Sequence, residues 1–302
     1  LSENKMSTIP VLIVGAGPTG LLLAYELALH GISFRIIDKK PEQTQNSNAV
    51  ALQTRTLEIF KQIGLANEFL RVGQACHGIS FYDHGKQYAK ASFTHLDSIY
   101  PFILSLPQAA TEHILNAKLS ELQHQVERSR ELIDVRVHLD NIEAIVQHHD
   151  GVQETIRCQY LLGCDGAHST IRNKCGFQFP GEDMKEQFIV ADGTIDSFLP
   201  HDEINIFSAD GYMLGVFPIG ENHYRLGGNT QLGYQRKIYT ENDVKQLITE
   251  RSYGQLNARS ISWISPFWIH SKMTDKMRKG NIFLLGDAAH IHSPVGGQGM
   301  NT

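Results

Sequence analysis

The sequence has few cysteines, and their spacing argues against the sites that paired cysteines usually build. Its 302 residues include 4 cysteines, Cys76, Cys158, Cys164 and Cys175, and no two of them form a C-x-x-C pair. This pattern argues against a zinc site, and unpaired thiols are typical of a reducing compartment. We therefore expect a cytoplasmic protein without a bound metal.

Long apolar runs and long runs of one charge are also missing. The apolar run Leu21–Tyr25 ends at Glu26 and is far too short to cross a bilayer. Residues 1–10 lack the basic-then-apolar pattern of a secretory signal. The formal net charge is −5, from 27 basic and 32 acidic residues, without a long basic stretch. We expect neither a membrane span nor a nucleic-acid partner.

A glycine-rich turn near the start of the chain stands out against this ordinary composition. Val11–Val14 is typical of a buried strand, and Gly15-Ala-Gly17-Pro-Thr-Gly20 follows it as a tight turn. The residues up to His30 predict a helix that stops at Gly31, and Phe34–Asp38 predicts the next strand. The crossover makes this a β-α-β unit with parallel strands.

In this context G-x-G-x-x-G indicates a dinucleotide-binding turn rather than a chance cluster of glycines. Gly15 permits the tight turn, Gly17 lets the backbone approach a pyrophosphate, and Gly20 allows close packing of helix on strand. Pro18 and Thr19 open the helix, whose free N–H groups favour phosphate charge.

An acidic residue closes the second strand of this unit. Asp38 lies 18 residues after Gly20, where it can accept hydrogen bonds from ribose hydroxyl groups, and Lys39 follows it. These signals alone do not separate NAD from FAD.

A second turn of the same kind lies about 270 residues later. A strand at Ile282–Leu285 leads into Gly286-Asp287, and the loop that follows contains Pro294, Gly297 and Gly299. Two nucleotide-type turns at opposite ends of the chain indicate one long cofactor held at both ends. This favours FAD.

Between the two turns, further nucleotide-type segments enclose a β-rich insertion. Helices are predicted over Thr54–Ile63 and Thr111–Gln123, and strands over 134–149 and 152–164. Within 179–270, strands are predicted at 188–195, 203–207, 212–217, 224–228 and 260–264, with a helix near Glu241–Arg251.

We therefore predict an α/β fold, in which a Rossmann-like FAD-binding domain with a mainly parallel sheet carries an inserted, mostly antiparallel substrate domain. The FAD-binding segments are predicted at residues 1–75, 106–178 and 271–302, and the substrate-domain segments at 76–105 and 179–270. A ligand would bind in the cleft between the two domains.

Two motifs carry a family resemblance. The segment Cys164-Asp165-Gly166-Ala-His-Ser169-Thr-Ile-Arg172 is similar to the DG motif of the class A flavoprotein monooxygenases, the para-hydroxybenzoate hydroxylase-like family. Gly286-Asp287-Ala-Ala-His290, followed by Pro294 and Gly297-Gln-Gly299-Met-Asn301, resembles that family's GD motif and flavin loop. The resemblance covers essentially the whole chain, with the motifs in the same order.

The resemblance implies FAD as the cofactor and NADPH or NADH as the co-substrate. Asp287 would bind hydroxyl groups near the ribityl chain, and Gly296–Asn301 would open a helix with its N–H groups facing the flavin ring. The implied cofactor-binding residues are Gly15, Gly17, Pro18, Thr19, Gly20, Asp38, Lys39, Arg55, Gln108, Asp165, Gly286, Asp287, Pro294, Gly297, Gly299, Met300 and Asn301.

The implied reaction is hydroxylation of a phenol-like ring with NAD(P)H and O₂ through a flavin C4a-hydroperoxide. Because the cofactor carries the oxygen chemistry, no side chain is assigned a catalytic role, and Pro294 and Gly297 would line the reaction site. His290 and His292 are interpreted as packing or loop residues.

Candidates for the substrate site come from the β-rich insertion. They are Phe188, Tyr212, Phe217 and Arg225, with ordinary sheet residues as the simpler interpretation. Side chains alternate between the two faces of a strand, and the sequence does not show which face lies toward the cleft.

Other functions on the same fold stay open. They are a halogenase, a prenyl reductase, and a truncated FAD-binding module without turnover. The halogenase pattern W-x-W-x-I-P is missing, because Trp263 and Trp268 are five residues apart. Since the family continues into helices at this point, we expect the chain to be truncated after Asn301-Thr302. A homodimer is a further expectation.

Overall fold

The computed structural model describes residues 8–45, 49–230 and 238–302. The helices are α1 (Pro18–Leu29), α2 (Thr54–Gln62), α3 (Ala66–Val72), α4 (Gln108–Glu121), α5 (Thr170–Lys174) and α6 (Glu241–Arg251), and a 3₁₀ turn covers Gly286–Ala288. In this part of the chain, no helix is both long enough and apolar enough to cross a membrane.

The strands form three sheets. They are β1 (Ile9–Val14), β2 (Phe34–Asp38), β3 (Ala51–Leu52), β4 (Gln74–Cys76), β5 (Gly78–Asp83), β6 (Lys86–Ser92), β7 (Ile103–Ser105), β8 (Glu127–Arg128), β9 (Arg130–Val137), β10 (Ile142–His148), β11 (Gln153–Gly163), β12 (Gly181–Asp196), β13 (Glu203–Ala209), β14 (Tyr212–Gly220), β15 (His223–Asn229), β16 (Asn257–Met273), β17 (Arg278–Lys279), β18 (Ile282–Leu284) and β19 (His290–Ile291).

The first sheet joins the two ends of the chain. Its strand order is β17-β18-β11-β1-β2-β8, and β9 and β10 extend it as antiparallel strands beside β11. The strands β18, β11, β1 and β2 run parallel. Because the carboxyl ends of parallel strands meet at one edge, the turns that follow β1, β11 and β18 come together there.

The β1 strand is apolar throughout because both of its faces are buried. Val11 and Ile13 belong to the cluster that packs on α1 and α4, whereas Leu12 and Val14 belong to the cluster on the opposite face. This is the usual reason for an uninterrupted apolar strand in a parallel sheet.

The second sheet has the strand order β19-β16-β12-β15-β14-β13-β5-β6. All of these neighbours pair antiparallel except β5 and β13, which are parallel. On one face Ile189, Leu214 and Leu226 form a buried cluster with Val244 and Ile248 of α6. Helix α6 therefore covers that face.

The strand register defines the opposite face of this sheet. Asp192 lies opposite Arg225 on one neighbouring strand and opposite Trp263 on the other, and Phe217 lies opposite Arg225. Phe188 precedes Asp192 by four residues on β12 and therefore points the same way. These five side chains share the face turned away from α6.

The three-stranded sheet β3-β7-β4 packs against this opposite face. Ala51, Cys76 and Ile103 are buried with Ile204 of the second sheet, and Phe217 packs against the same cluster. The small sheet thus connects the second sheet to the segment that leads into α2.

The predicted α/β fold with an inserted, mostly antiparallel sheet is confirmed, but two local predictions are wrong. The strand predicted over 134–149 is a hairpin of β9 and β10, closed by a turn in which the His138 N–H donates to the Asn141 carbonyl oxygen at 2.9 Å. Helix α4 begins at Gln108 instead of Thr111, because Pro107 fits the position just before the helix.

The helix expected to follow the loop 296–301 stays a prediction, because it would begin where the described residues end. Residues 294–301 form two turns, closed by hydrogen bonds from the Gly297 N–H to the Pro294 carbonyl at 3.0 Å and from the Asn301 N–H to the Gln298 carbonyl at 2.9 Å.

An ion pair formed by a buried arginine connects the second sheet to the start of α4. Arg225 is 2% exposed and donates from Nε and Nη2 to the two carboxylate oxygens of Asp192, each at 2.7 Å. Its Nη1 donates to the carbonyl oxygen of Ala49 at 2.7 Å, and the same oxygen accepts the Gln108 N–H at 3.0 Å. One carbonyl group therefore joins the second sheet to the start of α4.

Replacing Arg225 with methionine should lower the free energy of unfolding by about 3 kcal/mol, because the Asp192 carboxylate, which is 16% exposed, would lose its partner. Urea denaturation at neutral pH measures this change. Arg259→Met is the matched control, since Arg259 of β16 also pairs with an aspartate of β12, Asp196, but is exposed. An equal loss of stability in both variants would contradict this account.

Candidate functional site

The first glycine-rich turn lies where β1 and β11 end side by side. Gly15 has a φ of +101°, and a Cβ atom there would overlap the carbonyl oxygen of Cys164. A Cβ on Gly20 would overlap the carbonyl oxygen of Gly15. A Cβ on Gly17 would meet no atom within 4 Å. Gly15 and Gly20 therefore serve backbone packing, whereas Gly17 leaves open space for a ligand.

A cavity of about 200 Å³ opens in front of this turn, and we refer to it as the nucleotide cavity. It brings together six of the predicted cofactor-binding residues, Gly15, Gly17, Asp38, Lys39, Gln108 and Asp165. Lys40, Glu112 and Arg128 also line it.

The carboxylate of Asp38 is held in a fixed orientation beside the nucleotide cavity. Its Oδ2 accepts the Ala16 N–H at 2.6 Å, its Oδ1 accepts the Lys40 N–H at 2.8 Å, and Arg128 lies 3.9 Å away. Each carboxylate oxygen can accept a further hydrogen bond, so the group remains suited to ribose hydroxyl groups.

Asp165 follows β11 and forms the second wall of the cavity. Its Oδ2 accepts the N–H groups of Thr170 at 2.7 Å and Ile171 at 3.2 Å, which places the carboxylate at the start of α5. Its Oδ1 is buried and has no hydrogen-bond partner in the described parts of the chain. A buried polar atom without a partner indicates a missing water or ligand.

Arg172 connects the DG motif to the GD motif. Its buried guanidinium group donates to the carbonyl oxygens of Ala167 at 2.7 Å and Ala288 at 3.1 Å, and it lies 3.8 Å from the ring centre of Phe179. The two motifs are therefore held at a fixed separation by one side chain.

The GD motif meets the first glycine turn directly. Gly286 has a φ of +56°, and a Cβ there would collide with the side chain of Thr19. Asp287 is exposed to the open edge of the sheet, but surrounding protein atoms partly desolvate its carboxyl group and raise its pKa, while His290 and His292 oppose the shift. A carboxyl group in this position is suited to accept cofactor hydroxyl groups.

Of the two histidines, His290 belongs to β19 and pairs with Met273 of β16, whereas His292 lies in the loop that follows. Their rings stack at a centroid distance of 6.4 Å, and Nδ1 of His292 lies 2.8 Å from the carbonyl oxygen of Ser293. This geometry agrees with their interpretation as packing residues.

Asn301 fixes the loop 294–301 to the rest of the site. Its Oδ1 accepts hydrogen bonds from the Gln53 N–H and the Thr56 hydroxyl, both at 2.8 Å. Its Nδ2 donates to the carbonyl oxygens of Ala51 and Gly297, also at 2.8 Å. The side chain of Asn301 therefore holds the loop, and any contact with a cofactor would come from its backbone.

The other loop residues differ in exposure. Pro294 and Gly299 are exposed, whereas Gly297 and Met300 are half-buried, and Met300 packs against the core around α1. Arg55 is exposed, pairs with Glu58 at 3.0 Å and does not line the nucleotide cavity.

Glu112 is a residue that sequence reasoning missed. It is buried, lines the nucleotide cavity and accepts a hydrogen bond at 2.8 Å from Nε2 of Gln108. Its position one helical turn after Gln108 is the signal that could have identified it.

The four substrate candidates do not lie together. Phe188, Phe217 and Arg225 share the face turned away from α6, and Arg225 is already bound to Asp192. Tyr212 lies on the α6 side, with the Arg251 guanidinium group 4.7 Å from its ring centre. The structure therefore places Tyr212 apart from the other three.

Cysteine chemistry does not fit the nucleotide cavity. Burial raises the pKa of Cys164, which lines the cavity, to about 12, and the nearby Asp165 adds to this effect. The thiol is therefore protonated at neutral pH and is a poor nucleophile.

The residues present fit FAD. The open space in front of Gly17 gives room for a pyrophosphate at the start of α1, Asp38 can accept ribose hydroxyl groups, and Asp165 offers an unpaired oxygen. Asp287 supplies a further acceptor at the same sheet edge, on the side of the loop 294–301.

Comparisons with known proteins agree with this geometry. A family model described as "FAD binding domain" matches residues 8–302. Rifampicin monooxygenase of Rhodococcus hoagii is 32% identical over 307 residues, which covers 96% of this chain and 60% of that protein. The 12-dehydrotetracycline 5-monooxygenase/anhydrotetracycline 6-monooxygenase of Streptomyces rimosus is 32% identical over 302 residues and is covered to 59%. The chain thus spans about three fifths of these relatives.

Among solved structures, p-nitrophenol 4-monooxygenase PnpA from Pseudomonas putida DLL-E4 superposes with a TM-score of 0.84 at 22% identity, covering 98% of this chain and 76% of that chain. This likeness shows the fold. The family match confirms the resemblance expected from the DG and GD motifs and confirms FAD as the cofactor. The chain belongs to the FAD binding domain family, in the class A group of flavin-dependent monooxygenases.

Proposed function

We propose that the protein hydroxylates a phenol-like aromatic substrate with FAD, NADPH or NADH, and O₂. The observation that carries the proposal is the meeting of both glycine turns at one sheet edge, where Gly286 contacts Thr19 beside the nucleotide cavity. When bound, FAD supplies hydride acceptance and oxygen activation. The two curated relatives named above are monooxygenases, which supports the same reaction class.

The chain's own residues then bind and orient the cofactor and exclude water from the reacting ring. The N–H groups at the start of α1, behind Gly17, stabilise the negative charge of the pyrophosphate. Asp38 and Asp287 accept hydrogen bonds from hydroxyl groups at two points along the cofactor. The backbone of the loop 294–301, fixed by Asn301, presents N–H groups that can stabilise negative charge on the ring.

The substrate is proposed to lie between this loop and the second sheet. Ala51 belongs to the apolar cluster that contains Phe217, and a Cβ on Gly297 would lie 3.3 Å from the Ala51 side chain. Phe188 and Phe217 are proposed to supply apolar surface that keeps water away from the reacting ring. The proposed setting is the cytoplasm, and the homodimer and the domain boundaries stay predictions.

The reaction is tested with the purified, FAD-loaded protein and a panel of phenols that includes polycyclic ones. We expect at least one phenol to stimulate NADPH or NADH oxidation and to yield a product heavier by one oxygen atom in mass spectrometry. Bound flavin without any stimulated oxidation would instead support an FAD-binding module without turnover.

Gly17→Ala should separate cofactor binding from folding. Because an added Cβ meets no protein atom, the free energy of unfolding should change by about 1 kcal/mol or less. The methyl group would stand where the pyrophosphate approaches, so we expect the purified variant to lose its yellow flavin, as measured by its visible spectrum.

Gly20→Ala is the contrasting variant, because its Cβ would overlap the Gly15 carbonyl oxygen. We expect that change to lower the temperature of unfolding of the protein without FAD. Retention of flavin by Gly17→Ala would show that the pyrophosphate does not approach this glycine.

A further inference from the structure

A buried carboxyl group in the wall of the nucleotide cavity has one hydrogen-bond partner, Gln108, in the described part of the chain. Glu112 is 3% exposed, and its neighbours on the buried side of α4 are Thr111, Leu115 and Leu119. Glutamate is rarely buried unless it is paired or hydrogen-bonded, because burial removes its hydration. An apolar residue at this position would serve helix packing equally well.

The hydrogen bonds of Glu112 leave one carboxylate oxygen free. Oε1 accepts the Gln108 Nε2–H at 2.8 Å, whereas Oε2 accepts no hydrogen bond from residues 8–45, 49–230 or 238–302. Lys40 and Arg128 face the group across the cavity, but neither forms an ion pair with it. Asp38 is the other carboxylate nearby.

The chemistry of an ionised carboxylate limits what it can bind. It accepts hydrogen bonds and donates none, so it repels phosphate and favours hydroxyl groups. The residue beside it in the cavity, Asp38, is the one assigned to ribose hydroxyl groups. The two carboxylates therefore line the polyol part of the site, while Gly17 serves the pyrophosphate.

We infer that Glu112 is a further cofactor-binding residue. Its free carboxylate oxygen accepts a hydrogen bond from a hydroxyl group of bound FAD, while its other oxygen orients the amide of Gln108. This inference rests on the FAD site described above. The hydroxyl group belongs to the adenosine ribose or to the ribityl chain, and these two sources have the same chemistry.

The test measures FAD affinity by the quenching of flavin fluorescence on the protein freed of cofactor. Glu112→Leu should weaken FAD binding about tenfold to a hundredfold, the loss expected for a hydrogen bond to a charged acceptor. Glu121→Leu is the matched control on the same helix, because Glu121 is exposed and pairs with Lys118. Thermal unfolding of the cofactor-free proteins verifies that each variant folds.

Two further measurements decide between direct and indirect action. If Glu112→Leu has no effect in a Gln108→Ala background, Glu112 acts only through Gln108 and the direct contact is wrong. Competition by ADP, which carries the adenosine ribose, and binding of FMN, which carries the ribityl chain, identify the hydroxyl group. Weakening of either one by Glu112→Leu supports the inference.

The pH dependence of affinity gives an independent check. Burial raises the pKa of Glu112, and Gln108, Lys40 and Arg128 oppose the shift, while Asp38 adds to it. Since only the ionised form accepts fully, wild-type affinity should fall as the pH drops through this pKa. Glu112→Gln should lack this component.

The inference and the proposed FAD site fail in different ways. Equal FAD affinity of wild type and Glu112→Leu at every pH would overturn the role of Glu112 alone. Failure of the wild-type protein to bind FAD at all would overturn the site itself.

Discussion

The close approach of the β1 and β11 backbones is the constraint on which the cofactor site depends. Where the two strands end, Gly15 lies so near the Cys164 carbonyl oxygen that no side chain fits between them. This contact sets the distance from the first glycine turn to Asp165. Strand β18, on the other side of β11, then brings Gly286 against Thr19. The binding edge forms because the parallel strands β1, β11 and β18 end side by side and each is followed by a different turn.

The carbonyl group of Ala49 is one point at which polar contacts connect this edge to the second sheet. The Ala49 oxygen accepts hydrogen bonds from Arg225 of the second sheet and from the Gln108 N–H of the cofactor side. Two residues later, the Ala51 carbonyl accepts the side chain of Asn301. A short extended segment, 49–53, thus contacts the face of the second sheet turned away from α6, the start of α4 beside the nucleotide cavity, and the loop 294–301. A displacement of one of these three parts would therefore shift the segment 49–53 and change its contacts with the other two.

Local signals in the sequence predicted the parts of the structure that depend on local conformation. The turn at Gly15–Gly20, the β-α-β unit and helix α6 need only residues near in sequence, and they occur as predicted. The hairpin of β9 and β10 was missed, although Asp140-Asn141 is a turn signal within that segment.

Contacts between distant segments could not be predicted from pattern alone. Tyr212 and Phe217 lie five residues apart on β14, so alternation places them on opposite faces, but alternation does not show which of the two faces α6 covers. Glu112 carries a local signal, its position one helical turn after Gln108, but its place beside Lys40 and Arg128 depends on contacts between distant segments.

The contact of Gly286 with Thr19 also has a consequence for synthesis. Since a chain is made from its amino end, the first glycine turn exists long before its partner. FAD can stabilise the site fully only after β18 has been added, so a growing chain passes through synthesis of every strand of the second sheet except β19 without that protection.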